Sequence, residues 1–160
     1  MIKRFLFILV AIAFCVGCDQ QAKIWAKTAL SPGVFHPYLD GIFQLVLVEN
    51  HGAFLSLGDG LVKHLLFVSV IGLCLFAGIF WLAKKQTLSL FAVTSGVLFI
   101  SGGIGNLIDR TFNNGGVVDF MYMQYAGFHT GVFNIADIFI MIAATMMFAL
   151  SFTVKKEVKH

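Results

Sequence analysis

Two aspartates set the chemistry open to this chain. Asp137 closes the segment Phe133-Asn134-Ile135-Ala136-Asp137, at the lip of an uncharged run from Ile138 to Val154, and Asp119 stands upstream in Val117-Val118-Asp119-Phe120. Polar groups at the edge of hydrocarbon are costly and usually face a bundle interior or a wet cavity. If the two carboxylates converge in a low dielectric they cannot both ionise comfortably, so one proton is shared and their titrations are coupled. The ionised member can then take a proton from water while the protonated member polarises a carbonyl, which hydrolyses an amide without a covalent intermediate. Spacing alone leaves cation binding and proton relay open as other uses of the same acids. The sequence contains no H-E-x-x-H, G-x-S-x-G or P-loop pattern, so zinc, serine and nucleotide chemistry fit it poorly.

The elements that must position these acids are membrane spans. With 59% apolar and 12% charged residues in a 160-residue chain, the composition departs from that of a soluble domain. A span needs about twenty largely apolar residues, and the stretches 5–24, 65–83, 88–108 and 135–154 supply four. Lys3 and Arg4 precede the first, Lys84 and Lys85 link the second to the third, and Lys155, Lys156 and Lys159 follow the fourth. Basic flanks mark the cytoplasmic side, so the pattern predicts both termini inside. The acids Asp19, Asp40, Glu49, Asp59, Asp109, Asp119 and Asp137 fall at or beyond the outer ends, which puts the chemistry on the outer face. One integral-membrane domain over 1–160 is the natural organisation, with no nucleic-acid motif.

Several local patterns carry a plain reading beside a sharper one. Lys3-Arg4 followed by an apolar run and Cys15-Val16-Gly17-Cys18 imitates a signal peptide with a lipoprotein cleavage box, but Cys15 stands where leucine is usual, and the chain is expected to keep this segment. Cys15 and Cys18 also form a C-x-x-C; free cysteines in an apolar helix, like Cys74 in the second span, read better as small buried hydrophobes than as redox groups. Asp19 and Lys23 share a helix face, either as an ion pair at a helix end or as a brace for the outer site. Phe43–Glu49 reads as a strand, Asn50-His51-Gly52 as a turn, and Asn113–Gly116 as a turn that supports positive φ, with a short strand after it. His51 is read as an ordinary loop histidine rather than a base. The segment Met121–Phe128 is expected in the membrane interface. Gly102, Asn106 and Arg110 form a stripe on the third span, with Asp109 held ionised by its neighbour Arg110, and Asn134 shares a face with Asp137 and can orient it.

With these blocks in view, the chain resembles the bacterial lipoprotein signal peptidases (type II signal peptidases) nearly end to end. The resemblance rests on Asp19-Gln20-Gln21-Ala22-Lys23, Asn50-His51-Gly52-Ala53, Gly105-Asn106-Leu107-Ile108-Asp109-Arg110, Val118-Asp119-Phe120 and Phe133-Asn134-Ile135-Ala136-Asp137, in that order. It implies a membrane α-helical fold of four transmembrane helices with a small extracytoplasmic β-cradle and a mobile interfacial helix after the first span. It implies a multi-pass location in the cytoplasmic (inner) membrane, with Asp119 and Asp137 as the catalytic pair. Asp19, Lys23, Asn50, Gly52, Asn106, Asp109, Arg110, Asn134 and Ala136 match its supporting positions. The implied reaction is hydrolysis on the amino side of a diacylglyceryl-modified cysteine in a prolipoprotein, by a monomer among membrane lipids, with no metal or organic cofactor. Gly102, Gly103 and Gly105 are expected to allow a lateral opening for the substrate. Two departures bear on specificity: Phe54 and Leu55 interrupt the family's Asn-x-Gly-Ala-Ala-Phe-Ser pattern, and Ser101 replaces a usual glycine. The rival from another class is a small proton- or ion-coupled transporter using the same acids, against which stand the small size, the apolar mid-spans and the lack of an inverted repeat.

Overall fold

A computed structural model describes residues 2–51 and 88–157, together with Ile71, Cys74, Ala77, Gly78, Trp81 and Lys84. The expectations placed on Gly52, Phe54 and Leu55, and on most of the second span, lie outside the described residues. The described positions from Ile71 to Lys84 are helical, as the apolar run predicts.

Three long helices frame the site. Helix α1 covers Ile2–Ala29 and is 28 residues long, about 42 Å at 1.5 Å per residue. Helix α2 covers Leu90–Phe112 and is capped by Ser89, whose side chain accepts from the Ala92 N–H at 3.2 Å. Helix α3 covers Ile135–Glu157. Among the described residues, Leu90–Phe112 and Ile135–Phe152 are long and apolar enough to cross a membrane. Ile8 and Ile12 of α1 bury against Val93, Val97 and Ile100 of α2, so the apolar core lies in the half of the bundle away from the aspartates. An apolar cavity of about 680 Å³, lined among others by Trp81, Phe99 and Met147, opens in that same half and brings no chemistry to it.

Small residues let α2 and α3 close on each other. A methyl group at Gly102 would collide with the Ala136 carbonyl and come within 2.7 Å of Ile140, and one at Gly105 would come within 2.6 Å of the Asp19 carboxylate. Gly102 and Gly105 thus line a packed seam against Ala136, Ile140 and Asp19. Close approach of backbones is what small residues permit between membrane helices. Ser101 sits in the same buried stretch with its hydroxyl donating to the Val97 carbonyl at 2.7 Å.

The rest is a four-stranded antiparallel sheet, β1 (His36–Tyr38), β2 (Phe43–Asn50), β3 (Val117–Tyr125) and β4 (Phe128–His129), in that spatial order. A turn with Asn114 at φ 50° and Gly115 at φ 88° leads from α2 into β3, as the Asn-Asn-Gly-Gly run predicts. Met121–Phe128 forms the end of β3 and a two-residue turn into β4. Asn50, expected in a turn, instead ends β2 opposite Val117.

Candidate active site

The site is built where β3, α2 and α3 meet. The backbone of Phe133 pairs with Met121 in both directions at 2.8 Å, so the residues that start α3 are stitched to the strand carrying Asp119. Asn134 then caps α3. Its Oδ1 accepts from the Asp137 N–H at 3.0 Å, while the Asp137 carboxylate accepts from the Asn134 N–H at 3.1 Å. This is the reciprocal geometry of a capping box. It fixes the Asp137 side chain in the first turn of a helix, where the backbone dipole stabilises negative charge.

The Asn134 amide also serves both neighbours. Its Nδ2 donates to Asp119 Oδ1 at 2.7 Å and to Asn106 Oδ1 at 3.1 Å. Asn106 on α2 donates in turn to Asp137 Oδ1 at 2.9 Å, and Asn50 on β2 donates to Asp119 Oδ2 at 3.0 Å. The two carboxylates thus converge on one asparagine, Asp119 on its side-chain amide and Asp137 on its backbone N–H, each with its second oxygen held by another residue. Asp119 is 2% exposed. Burial pushes its carboxyl up to about 6, and the charge of Asp137 pushes the same way, against the hydrogen bonds of Asn50 and Asn134 and the more distant Lys23.

Behind this pair lies a second carboxylate cluster. Lys23 Nζ contacts Asp19 Oδ2 at 2.8 Å, Asp109 Oδ2 at 2.9 Å and Asn106 Oδ1 at 3.1 Å, so all three ammonium protons have acceptors. The counter-ion of Asp109 is therefore Lys23 rather than the adjacent Arg110. Successive residues on a helix do not face each other, and Arg110 folds back to the Asn106 carbonyl at 3.2 Å. Asp19 also accepts from the Ala136 N–H at 2.8 Å, and Asp109 from the Val118 N–H at 3.0 Å. Each acid of this cluster clamps a backbone donor within one residue of a dyad aspartate.

Of the residues expected from the sequence, Asp19, Lys23, Asn50, Asn106, Asp109, Asn134, Ala136, Asp119 and Asp137 come together, and Arg110 sits at the edge. His51 lies against Gly116, at 3.0 Å from the place a methyl group would take there. Gln20 went unremarked as a site residue. Its Nε2 lies 3.2 Å from Asp19 Oδ2, from the Gly105 carbonyl and from Asp109 Oδ1. The available signal was a glutamine between Asp19 and Lys23, in the polar turn that follows the apolar run of α1.

Residues 11–153 match the family described as Signal peptidase (SPase) II. The chain belongs to that family. A lipoprotein signal peptidase of Streptococcus thermophilus is 34% identical over 138 residues, 86% of this chain and 87% of the relative. One from Streptococcus pyogenes is 30% identical over 145 residues, 91% of each. A solved bacterial membrane enzyme, determined by the in meso method, superposes with a TM-score of 0.77 at 26% identity over 90% of this chain and 91% of the other. With the apolar helices α2 and α3, these likenesses make the chain a membrane-bound signal peptidase II, a hydrolase of peptide bonds. Asp119 and Asp137 are brought together at the start of α3 in that fold.

Proposed function

We propose that the chain is an intramembrane aspartic endopeptidase that cuts prolipoproteins on the amino side of a diacylglyceryl-modified cysteine, with Asp119 and Asp137 as its catalytic pair. The observation that carries this reading is the Asn134 cap, which holds both carboxylates by one residue, through its side chain to Asp119 and its backbone to Asp137. Asp137, partly exposed at the helix N-terminus, is the base toward water. Asp119, buried and inclined to keep its proton, donates to the scissile carbonyl oxygen. Water adds to the carbonyl carbon as its proton passes to Asp137. The resulting gem-diol collapses as Asp137 returns a proton to the cysteine nitrogen and Asp119 recovers its own, and the C–N bond breaks without an acyl-enzyme.

Asp19, Lys23, Asn50, Asn106, Asp109, Arg110, Asn134 and Ala136 support the pair by charge, hydrogen bonding or close packing. The chain acts as one multi-pass domain of the inner membrane with four spans, both termini in the cytoplasm and the site on the outer face. It works as a monomer, with the substrate's acyl chains left in the bilayer.

The test is cleavage of a diacylglyceryl-modified prolipoprotein by the purified protein in detergent, wild type beside Asp119→Asn and Asp137→Asn. Cleavage by wild type, with a loss of at least ~10²-fold in each variant, is the expected result. Retained cleavage in either variant overturns the pair. No cleavage by folded wild type on correctly lipidated substrate turns attention to proton flux through the same acids.

A further inference from the structure

The cavity in the half of the bundle away from the aspartates has apolar walls and a basic mouth. It holds about 680 Å³ and lies between α2, α3 and the helical positions Gly78 and Trp81. Along α2 it runs from Ala92 to Ile100, about 12 Å, and stops about 9 Å short of Asn106. Trp81 is 52% exposed, Phe99 44% and Met147 41%, so large apolar side chains line an open space rather than fill it. The hydroxyls on the wall already have acceptors on their own helices. Ser95 donates to the Ala92 carbonyl at 2.9 Å and Ser151 to the Phe148 carbonyl at 2.7 Å. Such walls suit a hydrocarbon chain.

Positive charge gathers at the end of the cavity away from the aspartates. Lys84 is exposed and follows Trp81 by three residues, which puts both on one helix face. Lys155 follows Ser151 by four residues on α3, one turn further along the same face, and Lys155 and Lys156 outnumber Glu157 in that last turn. The N-terminus of α2, capped by Ser89, opens at this end as well, where the helix dipole favours an anion. Basic pockets between membrane helices on the cytoplasmic side hold anionic lipid headgroups.

Charge and size choose the occupant. A signal helix enters the membrane behind a positively charged N-terminal region, which these lysines repel. Twenty residues of helix, about 30 Å long and 10 Å across, also occupy roughly 2,400 Å³, several times the volume of the cavity. One acyl chain beneath a negatively charged phosphate matches both the walls and the mouth.

We propose that this cavity binds an anionic glycerophospholipid of the inner leaflet, with one acyl chain among Trp81, Phe99 and Met147 and the phosphate at the end marked by Lys84 and the start of α2. The inference rests on the membrane placement proposed above, with the aspartates on the outer face, but not on the identity of the substrate.

The chain has two tryptophans, and Trp25 packs against Phe120 of the sheet, far from the cavity. Trp25→Phe therefore leaves Trp81 as a reporter within the site. The full-length variant, in phosphatidylcholine vesicles without substrate, is titrated with phosphatidylglycerol carrying dibrominated acyl chains, and separately with phosphatidylcholine carrying the same chains. Bromine quenches indole fluorescence on contact. The expected result is half-quenching of Trp81 at a proportion of the anionic lipid about 5-fold or more below that of the neutral one, with the ratio cut by about 5-fold in Lys84→Gln. Circular dichroism matching the parent shows that the lysine variant folds, and the comparison of the two lipids in the Trp25→Phe protein stands without it. Equal quenching by both lipids reduces the cavity to ordinary boundary contact and overturns the proposal. Absence of quenching by either puts protein over Trp81 and overturns it too, as does a preference that a folded Lys84→Gln leaves unchanged.

Discussion

The bundle holds two pairs of buried or half-buried aspartates within a few residues of each other, and they are solved in opposite ways. Asp19 and Asp109 share one lysine, which sits between them at 2.8 and 2.9 Å and neutralises half of their charge. Asp119 and Asp137 share one asparagine, which offers hydrogen bonds and no charge. The first pair is a tie, each acid bound to Lys23 and to a backbone N–H of another element. In the second, burial pushes the Asp119 carboxyl up, which suits the acid proposed above. The same residue type is made structural or chemical by what stands between its two copies, a cation or a neutral amide.

The comparison predicts stability effects of opposite sign. Lys23→Met leaves Asp19 and Asp109 buried without their counter-charge, a loss of about 3–5 kcal/mol. The expected outcome is a large fall in Tm with loss of cleavage; an unchanged Tm would show that the cluster is not charged in the fold. Asp119→Asn acts the other way. Asp119 titrates near 6 in the fold, against about 3.9 in an unfolded chain. Between those values the folded state holds the extra proton, so stability falls as pH rises through the window and stays lower above it. Removing the group restores up to about 3 kcal/mol above pH 6, and the advantage closes below about pH 4. Thermal unfolding of wild type and variant at pH 8 and pH 4 reads this directly. An inactive protein that is more stable than its parent is the signature of a strained reagent.

Smaller effects sharpen the division. Asn134→Ala removes the cap of α3 and costs about 1 kcal/mol, together with the hydrogen bond to Asp119. Asn134→Ser keeps a capping oxygen, so its Tm returns toward wild type while the cleavage rate stays low. Recovery of both would make Asn134 a cap and nothing more. Smallest of all, Cys15→Ala combined with Cys18→Ala is expected to shift stability by about 0.5 kcal/mol or less and to leave cleavage intact. Both thiols are free on α1, and Cys18 is exposed.

What could be read in advance follows the same division. The apolar runs at 5–24, 88–108 and 135–154 match the three described long helices to within about five residues at each end, and α1 extends past its run to Ala29. The pairing of Asp19 with Lys23 is local and was visible in their spacing. The pairing of Lys23 with Asp109 is not, because it joins two helices that only the packing at Gly105 brings together. Adjacency to Arg110 misled for that reason. Asn50 was legible as a polar residue after a strand, but its aim at Asp119 depends on β2 running one residue further than its hydrophobic pattern. The capping box was legible as Asn134 and Asp137 on one face. Its second use, presenting an amide to Asp119, required the backbone pairing of Phe133 with Met121.

Lys23 spends its three protons on Asp19, Asp109 and Asn106, and Asn106 passes a hydrogen bond to Asp137. Helix α1 therefore reaches α3 through α2. Until α3 is inserted there is no Asp137, no cap for Asp119 and no acceptor for the amide of Asn106. The hydrogen bonds around Asp119 are therefore complete only once α3 has joined the other two helices.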